Sequence, residues 1–342
     1  MLLGSGLFAD DAKVMPGRVG RFYLAPSFVF QNKSFEDDGS REDAAAPVKA
    51  FNIGAAIEFG IISWITAAIQ WAPGINVWSD VDIGPGVTAN AFGVGDIFVG
   101  AKMQILGTDA PVKTDNFRLA FAPGAKIPLP GPDYEKQLTN MMSGDAFTLA
   151  NIDHHVFGFG LRSYFDFIVN KNFFINLYNE FIYYPVKMDI KNAGFVEYML
   201  SLDLDATNAM LPDGDDMVVE ADYGYDLTFE LEPVFSYDIA KGVTFSAGLP
   251  INYKTTPGVK PVFTATGPYA EALIPTFEAG AASMGLEAAQ THLLTVRPNV
   301  SMFFMGWALP MEFKLAYFAP IWGQNSSASH TFNFQIRAYF KI

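Results

Sequence analysis

The segment 225–237, YDLTFELEPVFSY, alternates between apolar and polar side chains over most of its length. Successive side chains of a β-strand point to opposite faces, so this pattern predicts a strand with one apolar and one polar face. In a soluble sandwich the apolar face points inward, whereas in an outer-membrane barrel it meets lipid and the polar face lines the lumen. The apolar positions are Tyr225, Leu227, Phe229, Leu231, Phe235 and Tyr237.

The same period-two pattern recurs along the chain in about twelve segments, each near the ~9–11 residues that a tilted strand needs to cross a bilayer. In a closed barrel the last strand pairs with the first, because an open edge in lipid leaves backbone groups without hydrogen bonds. The segments are 21–31, 50–60, 63–72, 96–106, 117–128, 155–168, 173–184, 223–238, 243–254, 292–304, 311–320 and 330–342.

The connections between these segments alternate in length. Short turns are expected at 60–63, 170–172, 240–242 and 306–310, and long loops at 32–48, 73–93, 129–153, 185–222 and 255–290. Short periplasmic turns and longer extracellular loops are typical of outer-membrane barrels. We therefore predict an all-β protein: a transmembrane antiparallel up-and-down β-barrel of about 12 strands in the bacterial cell outer membrane. The barrel would span 21–342, and 1–20 would be a signal remnant or a periplasmic N-terminal segment.

Composition narrows the remaining classes of protein. No uninterrupted apolar run approaches the roughly 18 residues that a transmembrane helix needs, although half of the 342 residues are hydrophobic. A formal net charge of -14 without a basic stripe argues against nucleic-acid binding. The chain has 0 cysteines, which excludes disulfides, thiol catalysis and cysteine metal ligands.

Charged residues occur on the polar faces of the predicted strands. A charge facing lipid at the midplane would cost about 2–4 kcal/mol, so we expect these side chains to point into the lumen. Two roles remain open: they line a polar conduit, or they form pairs that close the barrel. The residues are Glu58, Lys102, Arg118, Lys126, Arg162, Asp166, Glu180, Asp226, Glu230, Glu232, Lys254, Arg297, Glu312, Lys314, Arg337 and Lys341.

The loop 255–290 is rich in alanine and poor in charge. Exposing its large apolar side chains to water is unfavourable, so we expect the loop to fold over the mouth of the barrel. Pro275 and Gly280 argue against a single long helix in this loop. The expected mouth residues are Phe263, Tyr269, Leu273, Ile274 and Phe277.

The histidines give no strong sign of catalysis or metal binding. His154, His155, His292 and His330 are expected at the extracellular ends of strands. None lies in mid-strand beside a serine on the lipid face, so nucleophilic catalysis has no candidate triad. We expect a protein that is not an enzyme, with no metal and no cofactor.

Two motifs resemble known bacterial proteins. GVGDIFVGAKMQIL (93–106) followed by FRLAFAPGAKIPLP (117–130) resembles the meta-pathway of phenol degradation family, which pairs a Gly-x-Gly-Asp strand with a strand ending in Lys-hydrophobic-Pro. The resemblance implies an outer-membrane barrel, and some members are tied to uptake of aromatic compounds. The matching positions are Gly93, Gly95, Asp96, Gly100, Lys102, Lys126 and Pro128.

The last strand, HTFNFQIRAYFKI (330–342), resembles the assembly signal of outer-membrane proteins, in which the final residue is usually Phe. Here Phe340 lies two positions before Ile342. The resemblance implies recognition by the barrel-assembly machinery. We therefore expect a channel or transporter for passive passage of small solutes, apolar or aromatic compounds among them. The alternative is a structural or surface-interaction barrel with a closed lumen. The expected partners are outer-membrane lipid, a small-molecule solute and the assembly machinery, without nucleic acid.

Overall fold

The computed structural model describes residues 11–84, 87–90, 93–143, 152–286 and 289–341. Within these ranges the chain forms twenty strands, three α-helices and a short 3-10 helix at Ile190–Asn192. The strands are β1 Val19–Phe35, β2 Arg41–Ile62, β3 Ile65–Gly84, β4 Val87–Asn90, β5 Gly93–Val94, β6 Ile97–Leu106, β7 Phe117–Ile127, β8 Gly158–Asn170, β9 Phe173–Tyr183, β10 Met188–Asp189, β11 Asp216–Asp222, β12 Tyr225–Ala240, β13 Val243–Gly248, β14 Ile251–Thr256, β15 Lys260–Thr266, β16 Thr291–Val296, β17 Asn299–Phe304, β18 Met311–Gln324, β19 Ser326–Ser327 and β20 His330–Lys341. The helices are α1 Tyr134–Ser143, α2 Phe195–Asn208 and α3 Pro268–Ser283.

The barrel wall consists of twelve antiparallel spans joined in chain order. Ten spans are the strands β1, β2, β3, β6, β7, β8, β9, β12, β18 and β20. The pair β13–β14 and the pair β16–β17 each form one span, interrupted at Pro250 and Pro298, because proline cannot donate to the ladder. The strand β20 pairs with β1 from Lys341 opposite Val19 to His330 opposite Phe30. The wall is therefore closed, and the predicted twelve-stranded up-and-down barrel is confirmed.

The two faces of the wall are sorted as lipid requires. On β12, Phe229 and Leu231 are 47% and 41% exposed on the outside, whereas Glu230 and Glu232 are buried in the interior. Tilted strands that are apolar outside and polar inside match a bilayer on the outside of the barrel. In water, the same outer surface would leave a large apolar area exposed.

Two of the expected loops are largely strand. β1 continues to Phe35 and β2 begins at Arg41, so the connection expected at 32–48 shrinks to a turn at 36–40. Likewise β3 runs to Gly84 and pairs with β4, in the range expected to be a loop at 73–93. The expectation of irregular loops was wrong here because backbone pairing continues beyond the alternating segments, where no lipid enforces an apolar face.

The two longest connections build a folded unit over one end of the barrel, which we call the cap (residues 188–222 and 260–286). Its strands pair in the order β10–β11–β15, and α2 and α3 contact this sheet. Its apolar core includes Leu200, Leu204, Met217, Val219 and Ala270. We call the barrel end under this unit the cap end, and the opposite end, with the shorter turns and both chain ends of the wall, the turn end.

The helix α3 is continuous from Pro268 to Ser283 with Pro275 inside it, so the prediction that Pro275 and Gly280 prevent one helix was wrong. Pro275 removes one helical hydrogen bond. Leu273, Ile274 and Phe277 pack against the cap core and offset that loss. None of the helices in the described ranges is long and apolar enough to span a membrane.

The segment that precedes β1 enters the turn end of the barrel. Ala12 and Met15 are buried there. The backbone N–H of Ala12 donates to the Asp166 carboxylate at 3.2 Å, and that of Met15 donates to the Thr66 hydroxyl at 2.8 Å. Residues 11–15 therefore narrow this end of the barrel; the first ten residues of the expected N-terminal segment, and Ile342, lie outside the described residues.

Candidate functional site

The charges of the turn end hold the N-terminal segment in the barrel. Arg118 Nε lies 2.9 Å from the Asp166 carboxylate, and Arg118 Nη1 lies 3.7 Å from that of Asp11. Lys102 donates from Nζ to the Asp11 carbonyl at 2.8 Å. Two more pairs lie at this end: Arg21 with Glu58 at 2.7 Å, and Arg337 with Glu312 at 3.2 Å.

At the middle of the barrel, Arg162 reaches across the interior. Its guanidinium donates to Glu180 and to Gln70, and its central carbon lies 3.8 Å from the centroid of the Phe98 ring. The Phe98 ring needs a glycine beside it, because a Cβ at Gly160 would lie 2.5 Å from the ring. The glycine at 160 thus leaves room for the Phe98 ring and the Arg162 guanidinium to lie side by side in the interior.

A second group of interior charges lies on β12 and the spans that follow it. Arg297 donates from Nη2 to Asn252 at 2.8 Å, and from Nη1 to Glu230 at 3.4 Å. Asn252 in turn donates to Glu230 at 3.0 Å. Glu232 accepts from the Asn299 amide at 3.1 Å. Carboxylates and cations are therefore matched across neighbouring strands rather than left as a row of like charge.

Under the cap, residues 152–156 fold into the barrel mouth and are buried. The Asp153 carboxylate pairs with the Lys126 ammonium and accepts the backbone N–H of Asp96 at 2.9 Å. Burial alone would raise the pKa of Asp153, but the Lys126 charge and the His154 ring keep that pKa below its usual value. The ion pair therefore fixes this inserted segment to the end of β7.

The neighbouring histidines complete the mouth. His154 Nε2 lies 3.3 Å from Asp226 Oδ1, and Tyr184 donates its hydroxyl to the other Asp226 oxygen at 3.0 Å. His155 donates from Nδ1 to the Leu129 carbonyl at 2.8 Å. Burial would lower the pKa of His155, but its hydrogen bond with Asp96 outweighs burial and raises that pKa.

The other two histidines face outward at the cap end. His292 Nδ1 shares a hydrogen bond with the Tyr253 hydroxyl, and His330 Nδ1 shares one with the Tyr317 hydroxyl, each at 2.7 Å. All four histidines thus lie at the cap ends of strands, but His154 and His155 are buried in the mouth, whereas His292 and His330 are partly exposed. Across the described ranges, no cluster of three or more His, Cys, Asp or Glu could hold a metal ion.

The interior charges proposed from the sequence occupy different layers and do not converge on one point. Nine of the sixteen are buried, and Lys341 at the turn end of β20 is exposed. The partly buried ones are Lys102, Arg162, Lys254, Arg297, Glu312 and Lys314. Sequence analysis missed the interior roles of Asp153, His154 and Tyr184. Asp153 and His154 lie in a segment without regular alternation of apolar and polar residues, so the sequence pattern does not predict that they point inward. Asp96, by contrast, stands out in the sequence as the polar residue before β6.

The expected mouth residues separate into two groups. Phe263, Leu273, Ile274 and Phe277 are partly buried and pack against the cap core. Tyr269 is 64% exposed. The first four therefore hold the cap together, whereas Tyr269 faces the surroundings.

A cavity of about 40 Å³ lies among the interior charges, with Gln70, Phe98, Lys126, Arg162, Lys254 and Arg297 in its lining. A space of this size holds only one or two water molecules. The conformation described is thus narrow at the cap, at the cavity and at the turn end.

Comparison with known proteins finds similar structures but no similar sequences. No family model matches this sequence, and no curated protein matches it. Among solved structures, an outer membrane channel from Pseudomonas putida F1 shares 10% identity with a TM-score of 0.63, covering 98% of this chain and 100% of that one. The transport unit of the autotransporter AIDA-I from Escherichia coli shares 9% identity over 99% of this chain and 95% of that one, with a TM-score of 0.42. The first likeness is one of fold, and together with the apolar outer face it identifies this chain as a twelve-stranded outer-membrane β-barrel.

Proposed function

We propose that the protein is a passive channel of the bacterial outer membrane for small solutes, with apolar or aromatic compounds among them. The observation that carries this proposal is the charged and polar interior, which continues from Arg118 at the turn end to Lys126 at the cap end. Polar interiors of this kind hold water in channel-forming barrels. The structural likeness to an outer membrane channel supports the same function.

The proposed passage runs from the cap, past the inserted residues 152–156 and the central charges, to the N-terminal segment. The long loops of such barrels lie outside the cell, so the cap would face the exterior. Its partly buried apolar side chains, such as Phe263 and Phe277, would offer an aromatic solute a first apolar contact. The interior charges would form the wall of the passage. Passage requires the cap or the inserted segment to move, because the present cavity is small.

A second function has its own support. The interior cations are matched with carboxylates, and the cavity has room for only one or two water molecules. Those features favour a structural or surface-interaction barrel with a closed lumen. We rank it second because such extensive interior charge is costly to bury and is not needed to close a barrel of this size.

The proposal also covers the partners and the chemistry. The outer face would contact outer-membrane lipid, and β20 would present the assembly signal to the barrel-assembly machinery. A passive channel needs no catalytic group or cofactor, and its ligand is the small-molecule solute itself.

Single-channel recording in planar bilayers tests the proposal directly. The wild-type protein should conduct, and a variant in which residues 260–286 are replaced by a short Gly-Ser turn should conduct several-fold more, because β15 and α3 no longer cover the mouth. Migration on gels with and without heating checks that the barrel has assembled. If both proteins are electrically silent and liposome swelling detects no solute entry, the closed barrel is the correct account.

A further inference from the structure

The lining of the central cavity has an excess of positive charge. Four cationic side chains face it, against two carboxylates; the cations are Lys126, Arg162, Lys254 and Arg297, and the carboxylates are Asp96 and Glu180. Three carboxylates that pair with these cations, namely Asp153, Asp226 and Glu230, are not part of the lining. The charges are balanced over the interior as a whole, but the surface that a solute would meet is cationic.

Lys254 is the cation best placed to bind a solute. Its ammonium lies 3.7 Å from the Asp226 carboxylate, which is beyond hydrogen-bond distance. Asp226 already accepts the Tyr184 hydroxyl and contacts His154. Among the described residues the Lys254 ammonium makes no hydrogen bond, although it carries three donors. By contrast, Arg162 is held by Glu180 and Gln70.

The same cavity has an apolar wall. Phe98, Ile182 and Tyr178 contribute to its lining beside the cations. Arg162 lies over the Phe98 ring, so charge and aromatic surface are adjacent. A ligand that matches both features carries a negative group and an apolar group next to each other. The cavity itself holds a group about as large as one or two water molecules, which suits a carboxylate.

We propose that this cavity is a selectivity site for small carboxylates that bear an apolar group, such as an aromatic acid, and that the Lys254 ammonium is their main ligand. The inference rests on the proposed channel function and names the class of solute. The carboxylate would receive hydrogen bonds from Lys254 and lie in the field of Arg162 and Arg297. The apolar group would contact Phe98 once the cap or the inserted segment has moved, as passage itself requires. Charge-assisted hydrogen bonds of this kind give both affinity and orientation.

Benzoate is the probe, with benzamide as its neutral counterpart and acetate as the counterpart without a ring. Reversal potentials under a benzoate gradient report the permeability of benzoate relative to potassium. In Lys254→Gln this ratio should fall by about fivefold or more, which is the effect of one unit charge at about 4 Å even in a water-like dielectric. The control is Lys241→Gln, which removes an exposed cation from the turn after β12, outside the lumen, and should leave the ratio nearly unchanged.

Calorimetric titration of benzoate into the detergent-solubilised protein measures binding without requiring conduction. Wild type should bind benzoate more tightly than benzamide or acetate. Lys254→Gln should weaken the binding of benzoate by about fivefold or more, as for its permeability. Equal effects of Lys254→Gln and Lys241→Gln, or equal binding of benzoate and benzamide, would overturn the site. If the wild-type protein conducts but gives either of these results, only the proposed selectivity site is wrong. If the wild-type protein is electrically silent and does not bind benzoate, the proposed channel function is wrong as well.

Discussion

The barrel wall and the cap sort the same residue types in opposite directions. In the wall, Leu231 is 41% exposed on the outside, and its neighbour Glu230 is 3% exposed in the interior. In the cap, Leu200 and Leu204 are buried, whereas Asp203 and Asp205 on the same helix are exposed. The spacing differs as well, since apolar residues alternate in β12 and recur four apart in α2.

This contrast follows from the solvent that each region meets. Lipid accepts apolar side chains but not backbone polar groups, so the wall must close its hydrogen-bond ladder and needs no apolar core. Water accepts the polar surface of the cap, so the cap must bury an apolar core of its own. One chain therefore contains a barrel that is apolar on the outside and a small folded unit that is apolar on the inside.

The largest expected effect comes from placing a charge in the cap core. Leu200→Asp would bury an unpaired carboxylate and remove apolar packing, lowering the free energy of unfolding of the cap by at least about 3 kcal/mol. Limited proteolysis should then cut within 195–222, while the barrel keeps its heat-modifiable migration. Met199→Asp is the matched control, because Met199 is 39% exposed. If both variants are cut at the same rate, the cap has no core of the kind described.

A charge on the lipid face of the wall should have the next largest effect. Leu231→Arg would put a guanidinium into the membrane and make the free energy of folding into vesicles less favourable by about 2–4 kcal/mol. Tyr269→Arg on the exposed cap surface should change that value by no more than about 0.5 kcal/mol. Urea titrations of folding into lipid vesicles measure both. A negligible effect at Leu231 would mean that this face does not meet lipid.

The smallest effect is expected where the wall extends into water. Lys33 and Asp43 form an ion pair at 3.1 Å in the β1–β2 hairpin, and their side chains are 45% and 92% exposed. Lys33→Ala should lower stability by less than about 1 kcal/mol, because water screens such pairs. The same urea titration tests it. A loss as large as that of Leu231→Arg would show that this part of the hairpin is buried against something.

The wall could be predicted from sequence because lipid enforces one rule at every alternate position. The alternation in 225–237 gives both the strand β12 and the face that points outward. The cap could not be predicted in this way, because its core joins Leu200 to Ala270, which are distant in sequence. Pro275 predicted a break in α3, but the helix is continuous because tertiary packing overrides a local helix-breaking preference.

The interior was predicted in part for a related reason. Charges on the strands, such as Glu230 and Arg297, are forced inward by the cost of facing lipid, and the structure brings them within 3.4 Å of each other. Asp153 and His154 lie in a connection where no such rule applies, and only their partners on the strands draw them into the mouth. The positions of strand charges therefore follow from the pattern, whereas the inserted segment follows from tertiary contacts.

The central claim is that the wall is apolar toward lipid and polar toward its interior, and the absence of native cysteine allows a direct test. Single cysteines placed in turn from 227 to 235 can carry a fluorophore, and quenching by brominated lipid reports contact with the bilayer. The account predicts strong quenching at 227, 229, 231 and 235 and weak quenching at 228, 230 and 232. Quenching that is uniform along the segment, or that peaks at the even positions, would contradict it.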